Sequence, residues 1–89
     1  MALQNLLILG ATGTIGVNTL DVVARHPDRF KVGGLVAGKN IDLLFSQACE
    51  HRPETLIICD DESLARWQQS GLCEKLKQHI GYAPTLGGQ

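Results

Sequence analysis

Apolar residues fall into two alternating rhythms along this chain: short unbroken runs, and longer stretches in which they return every three or four positions. Leu6-Leu7-Ile8-Leu9, closed by Gly10, has no polar alternation and predicts a first, central strand buried on both faces. Gly16, Leu20, Val23 and Ala24 then share one face of a helix that ends before Pro27. Residues 30–37 form a second strand whose paired glycines, Gly33 and Gly34, weaken it but admit a close neighbour. A second helix starts at Ile41, with Ile41, Leu44, Phe45, Ala48 and Cys49 on one face, and stops before Pro53. Residues 55–59 supply a third strand, and Asp60 or Asp61 caps a third helix running to about Gln69. Gly71 breaks it, Leu72, Leu76 and Ile80 mark a short fourth helical piece ended by Gly81, and a fourth strand begins near Tyr82.

This β-α-β-α-β-α-β order predicts an α/β fold, a Rossmann-like parallel sheet with helices on both faces, of which about one mononucleotide-binding half is present. In such sheets the ligand sits outside the strand C-termini where the strand order reverses, here between the first and fourth strands. With the fourth strand barely begun, the chain reads as an N-terminal fragment of a Rossmann domain, residues 1–89. Catalytic and C-terminal domains are then expected elsewhere.

Composition narrows the function classes. The 89 residues carry 44% hydrophobic and 19% charged side chains with a net charge of -1, an ordinary globular balance. Lys and Arg stand singly among the acids, so the basic stripe of a nucleic-acid binder is missing and no nucleic-acid partner is expected. No stretch approaches the roughly 18 apolar residues of a membrane span, and the start has no basic residue ahead of its apolar run, so no membrane partner and a cytoplasmic location are expected. Cys49, Cys59 and Cys73 are odd in number and widely spaced, which predicts free buried thiols rather than a disulfide framework or zinc site. His26, His51 and His79 are equally scattered, and no metal ligand is assigned in this chain.

The chemistry-bearing motif is Gly10-Ala11-Thr12-Gly13-Thr14-Ile15-Gly16, placed between a strand and an amphipathic helix. Gly10 permits a sharp turn, Gly13 a close approach of backbone to a pyrophosphate, and Gly16 tight packing of the helix. Unpaired amides of the first helical turn, helped by the helix dipole, then face the phosphates. The hydroxyls of Thr12 and Thr14 either donate to phosphate or cap the helix. Cofactor choice is read at the end of the second strand, where an acid would bind the ribose hydroxyls of NAD. Gly38-Lys39-Asn40 stands there instead, and Lys39 places positive charge where a 2′-phosphate would lie, which predicts NADP over NAD. Lys39 as a solvated lysine and Asn40 as a helix cap are the plainer readings of the same residues.

With these residues in view the chain resembles the N-terminal part of the 1-deoxy-D-xylulose 5-phosphate reductoisomerases. The likeness rests on residues 7–16, on Thr19-Leu20-Asp21-Val22-Val23, on Leu35-Val36-Ala37-Gly38-Lys39-Asn40 and on Asp60-Asp61-Glu62. The family usually has Ser at Ala11 and often at Thr14; all are small residues. The resemblance implies that Thr12, Gly13, Thr14 and Ile15 hold NADPH, with Gly38, Lys39 and Asn40 at its adenosine end. It implies a metal-assisted rearrangement of the sugar phosphate followed by hydride transfer, giving 2-C-methyl-D-erythritol 4-phosphate in non-mevalonate isoprenoid synthesis. A homodimer using a divalent metal, Mg or Mn, is implied as well, with metal ligands, substrate pocket and lid beyond residue 89. Two other readings stay open at this point: another G-x-x-G-x-x-G oxidoreductase, such as a semialdehyde dehydrogenase or an atypical short-chain reductase, and a non-catalytic NADP-binding module.

Overall fold

A computed structural model describes residues 3–88 as one four-stranded parallel sheet with four helices. The order is β1 (Gln4–Leu9), α1 (Thr14–Arg25), β2 (Phe30–Ala37), α2 (Ile41–His51), β3 (Thr55–Ile58), α3 (Asp61–Gln69), α4 (Leu72–Ile80) and β4 (Thr85–Gly88). The Rossmann-like parallel α/β arrangement is the one the apolar rhythm predicts. Local signals account for most element ends. Asn40 caps α2 by accepting from the Leu43 amide, Asp60 caps α3 by accepting from the Ser63 amide, and Gly81 ends α4 at φ +88°. The third strand stops one residue before Cys59, and the fourth starts at Thr85 rather than Tyr82.

Strand order departs from the expectation. The sheet runs β1-β2-β3-β4, so β4 pairs with β3 and does not flank β1. Each strand is added on the same side of the one before, and right-handed crossovers stepping in one direction land their helices on one face. The expected helices on both faces are therefore not found among the described residues. Ile8, Leu35, Ala37, Leu56 and Ile58 of the sheet join Leu20, Leu44, Trp67, Leu76 and Ile80 of the four helices in a single core. On the opposite face Leu7 and Leu9 are 57% and 72% exposed among the described residues, where the unbroken apolar run predicts burial on both sides. There Asn5 and Leu7 lean over Gly33 and Gly34, at a β-bulge between Leu6 and Leu7; any side chain on those glycines would collide with them. The close neighbour the paired glycines admit is thus a strand's side chains.

Two further packing details follow from the helical layer. Trp67 is fully buried, and its indole N–H donates to the Cys73 sulfur at 2.9 Å, joining α3 to the start of α4. All three cysteines are free, but Cys59 is exposed and Cys49 and Cys73 are half-buried, so the thiols are less sheltered than their spacing suggested. Ala24, expected on the inner face of α1, is exposed.

At the start of α3 the Asp60 carboxylate accepts from both the hydroxyl and the amide of Ser63, at 2.7 and 3.0 Å. These bonds, with smaller help from the Lys39 and Arg66 charges, hold its pKa below the ordinary carboxylate value. A carboxyl that is more acidic when folded stabilises fully above its unfolded pKa, and the contribution is lost as pH falls through the folded one. Asp60→Asn keeps the cap without the charge. In denaturant titrations, its unfolding free energy should decline less steeply than that of the unaltered protein between about pH 5 and pH 3, the span of carboxylate titration; equal slopes would assign the cap no charge dependence.

Candidate functional site

The parallel register brings the ends of β1, β2 and β3 to one edge of the sheet, and the motif residues gather there. Leu9 pairs with Val36 and Ala37 with Ile58, so the glycine loop, Gly38-Lys39-Asn40 and Cys59-Asp60 leave from neighbouring strands. Such strands lie about 4.8 Å apart.

The loop is shaped by two of its three glycines. Gly10 turns the chain at φ +63°, a conformation that favours glycine. Gly16 is buried against that turn: a Cβ there would stand 2.1 Å from the Gly10 carbonyl oxygen and 2.7 Å from the Ala11 Cα, both backbone. The contact is with the loop itself rather than with the sheet. Gly13 differs, because a Cβ on it would meet only the Gly10 oxygen, at an ordinary 3.4 Å. Nothing in the protein demands glycine at position 13, whereas a ligand lying against the backbone there would.

The helix opening is only partly as the motif suggests. Gly13 is the extended N-cap of α1, and its amide is consumed by the Gly10 carbonyl at 3.0 Å. The amides of Thr14, Ile15 and Gly16 donate to no protein group among the described residues, and no side chain caps the helix. The hydroxyls of Thr12 and Thr14 are therefore not spent on capping. Three donors without a protein acceptor and the positive end of the helix dipole give this turn the chemistry with which a helix N-terminus can take an anion. Ile15 is 82% exposed beside it.

At the neighbouring strand end Lys39 is exposed and makes no salt bridge among the described residues. Its carbonyl accepts from the Ile41 amide at 3.0 Å and, at 3.4 Å, from the hydroxyl of Ser63. A side chain on Gly38 would meet nothing within 4 Å, so its absence leaves open space at the strand end. Asn40 is occupied as the cap of α2, through its side-chain oxygen. The structure thus places Thr12 to Ile15 and Gly38 to Asn40 along one edge.

Sequence reasoning missed Gln47. It is 93% buried in the middle of α2, and its side-chain N–H donates to the Ala11 carbonyl at 2.7 Å. Its oxygen has no hydrogen-bond partner among the described residues. The signal was a polar residue inside the apolar face formed by Leu44 and Ala48. Ser63, buried at the opening of α3, was missed in the same way. Among the described residues no group of three or more His, Cys, Asp and Glu side chains is placed to hold a metal ion, and no helix is long and apolar enough to cross a membrane.

Comparison with known proteins bears on this geometry. Residues 6–85 match the family model of 1-deoxy-D-xylulose 5-phosphate reductoisomerase. Reductoisomerases so named from Methylobacillus flagellatus and Geotalea uraniireducens are 46% and 48% identical over 78 and 67 residues, which is 88% and 75% of this chain. The chain spans 18% and 17% of those two proteins. A DOX-P reductoisomerase crystallised with NADPH, fosmidomycin and magnesium superposes with a TM-score of 0.79 at 29% identity, over 98% of this chain and 20% of that one. The Zymomonas mobilis enzyme in complex with NADPH gives 0.72 at 28% identity, over 98% of this chain and 21% of its own. By the extent of the family match and the level of identity, this chain belongs to the 1-deoxy-D-xylulose 5-phosphate reductoisomerase family.

Proposed function

We propose that this chain is the N-terminal cofactor-binding part of a reductoisomerase that converts 1-deoxy-D-xylulose 5-phosphate to 2-C-methyl-D-erythritol 4-phosphate with NADPH. The observation that carries the reading is the placing of the Thr14, Ile15 and Gly16 amides, which donate to no protein group among the described residues, beside a strand end carrying Lys39, which makes no salt bridge among them. Family membership favours it over a semialdehyde dehydrogenase, a short-chain reductase or a non-catalytic module.

NADPH, when bound, supplies the hydride that reduces the rearranged aldehyde. The residues of this chain bind and orient it. Thr14 and Ile15 donate amides to the diphosphate, Thr12 lends a hydroxyl, and Gly13 leaves the backbone bare at the point of closest approach. Lys39 neutralises the 2′-phosphate, while Gly38 and Asn40 border the adenosine. No acid stands at the strand end to repel that phosphate; Asp42 is the first, inside α2. The divalent metal, Mg or Mn, and the sugar phosphate are assigned to parts of the enzyme beyond these residues. The protein works in the cytoplasm, a reading supported by its free thiols, and without nucleic acid, as its dispersed basic residues suggest; the homodimer is what the family resemblance implies.

Three measurements test this on the intact protein. Incubated with 1-deoxy-D-xylulose 5-phosphate and a divalent metal, it should consume NADPH; absence of turnover would remove the assignment. Gly13→Ala should leave the unfolding midpoint in place yet weaken NADPH about tenfold or more, a loss of roughly 1.4 kcal/mol. Gly16→Ala should instead destabilise the fold by about 1–3 kcal/mol, because the new methyl meets backbone. Equal effects of the two on stability would deny Gly13 its ligand-facing role. Lys39→Asp should lower NADPH affinity about tenfold to a hundredfold while leaving NADH nearly unchanged, as expected for loss of one charge-assisted contact. Unchanged preference would locate the 2′-phosphate elsewhere.

A further inference from the structure

We infer that Gln47 is a positioning residue for the dinucleotide, fixing the direction of the peptide between Ala11 and Thr12. The inference rests on the NADPH reading above and deepens it. The Ala11 residue is fully buried and held on both sides: its amide donates to the Val36 carbonyl at 2.8 Å, and its carbonyl accepts from Gln47 at 2.7 Å. In a planar trans peptide the carbonyl and the following amide point in opposite directions. Holding the Ala11 oxygen inward, toward α2, therefore turns the Thr12 amide outward, where it donates to no protein group among the described residues. Gln47 in this way adds a donor to those of Thr14, Ile15 and Gly16.

Gln47 sits seven residues into α2, the helix whose first turn follows Lys39 and Asn40. One hydrogen bond thus ties the loop that holds the diphosphate to the element that presents the 2′-phosphate site, and sets the spacing between the two ends of one ligand. The unpaired Gln47 oxygen points the same way. An apolar side chain would fill this position without stranding an acceptor, so the residue's use lies in its N–H.

Two substitutions in the intact protein test this. Gln47→Met keeps the length and removes the donor. Gln47→Glu keeps the shape but donates to Ala11 only when protonated, and burial raises the carboxyl pKa toward the neutral range. NADPH affinity should fall about tenfold in Gln47→Met at every pH. In Gln47→Glu the deficit relative to unaltered protein should be large near about pH 8.5 and shrink toward about pH 6, as the carboxyl takes up its proton. Without cofactor, the Thr12 amide signal should move and its hydrogen exchange should change in Gln47→Met, while the amides of β3 stay as they were. Two results would overturn the inference alone: unaltered protein that binds NADPH alongside variants that bind it equally well, or a deficit in Gln47→Glu that is the same at all pH and tracks lost stability. Failure of the unaltered protein to bind NADPH would overturn the cofactor reading itself, while the Thr12 exchange would still report whether Gln47 orients that peptide.

Discussion

Helix α1 can begin where it does only because nothing projects from Gly16. Its backbone rests on the Gly10 carbonyl and the Ala11 Cα so closely that a single methyl would enter both. That contact seats the first helical turn on top of the strand-to-helix bend and leaves Thr14, Ile15 and Gly16 with donors and no acceptors. An isolated helix would satisfy these groups with water or a capping side chain; here the N-cap is a glycine with no side chain to offer. That this turn has no protein acceptor is thus a consequence of packing.

The three glycines divide the work in a way the motif alone does not reveal. Position 10 is demanded by a backbone angle and position 16 by a steric contact, so both would be needed in a protein that bound nothing. Position 13 is demanded by neither. The glycine that the described residues leave without a structural reason is the one the proposed function assigns to the ligand.

Helix starts and stops were legible because each is set by one or two residues: Asn40 and Asp60 at the caps, Pro27 and Pro53 in the following turns, Gly81 at the end of α4. That the glycine loop and the Gly38-Lys39-Asn40 strand end share one edge was legible for the same reason, since each lies within a few positions. Strand neighbours were not. Whether β4 joins β3 or β1 depends on which long-range pairing buries more, and Tyr82 to Leu86 carry no mark of that choice. The side on which the helices fall follows from strand order, so misplacing β4 misplaced the helices with it. Gln47 escaped because its partner, Ala11, lies 36 residues away, and helical periodicity registers a lone glutamine only as a flaw in an apolar stripe.

The bond between the Trp67 indole and the Cys73 sulfur gives the molecule an optical handle. Trp67 is the only tryptophan in the sequence and is shut away from water beside a thiol, so its emission should be sensitive to any change at this corner. Opening of the α3–α4 corner brightens and reddens that light at once, and a reagent that caps Cys73 alters it without touching the sheet. Events at this corner can therefore be followed by fluorescence without attaching a dye.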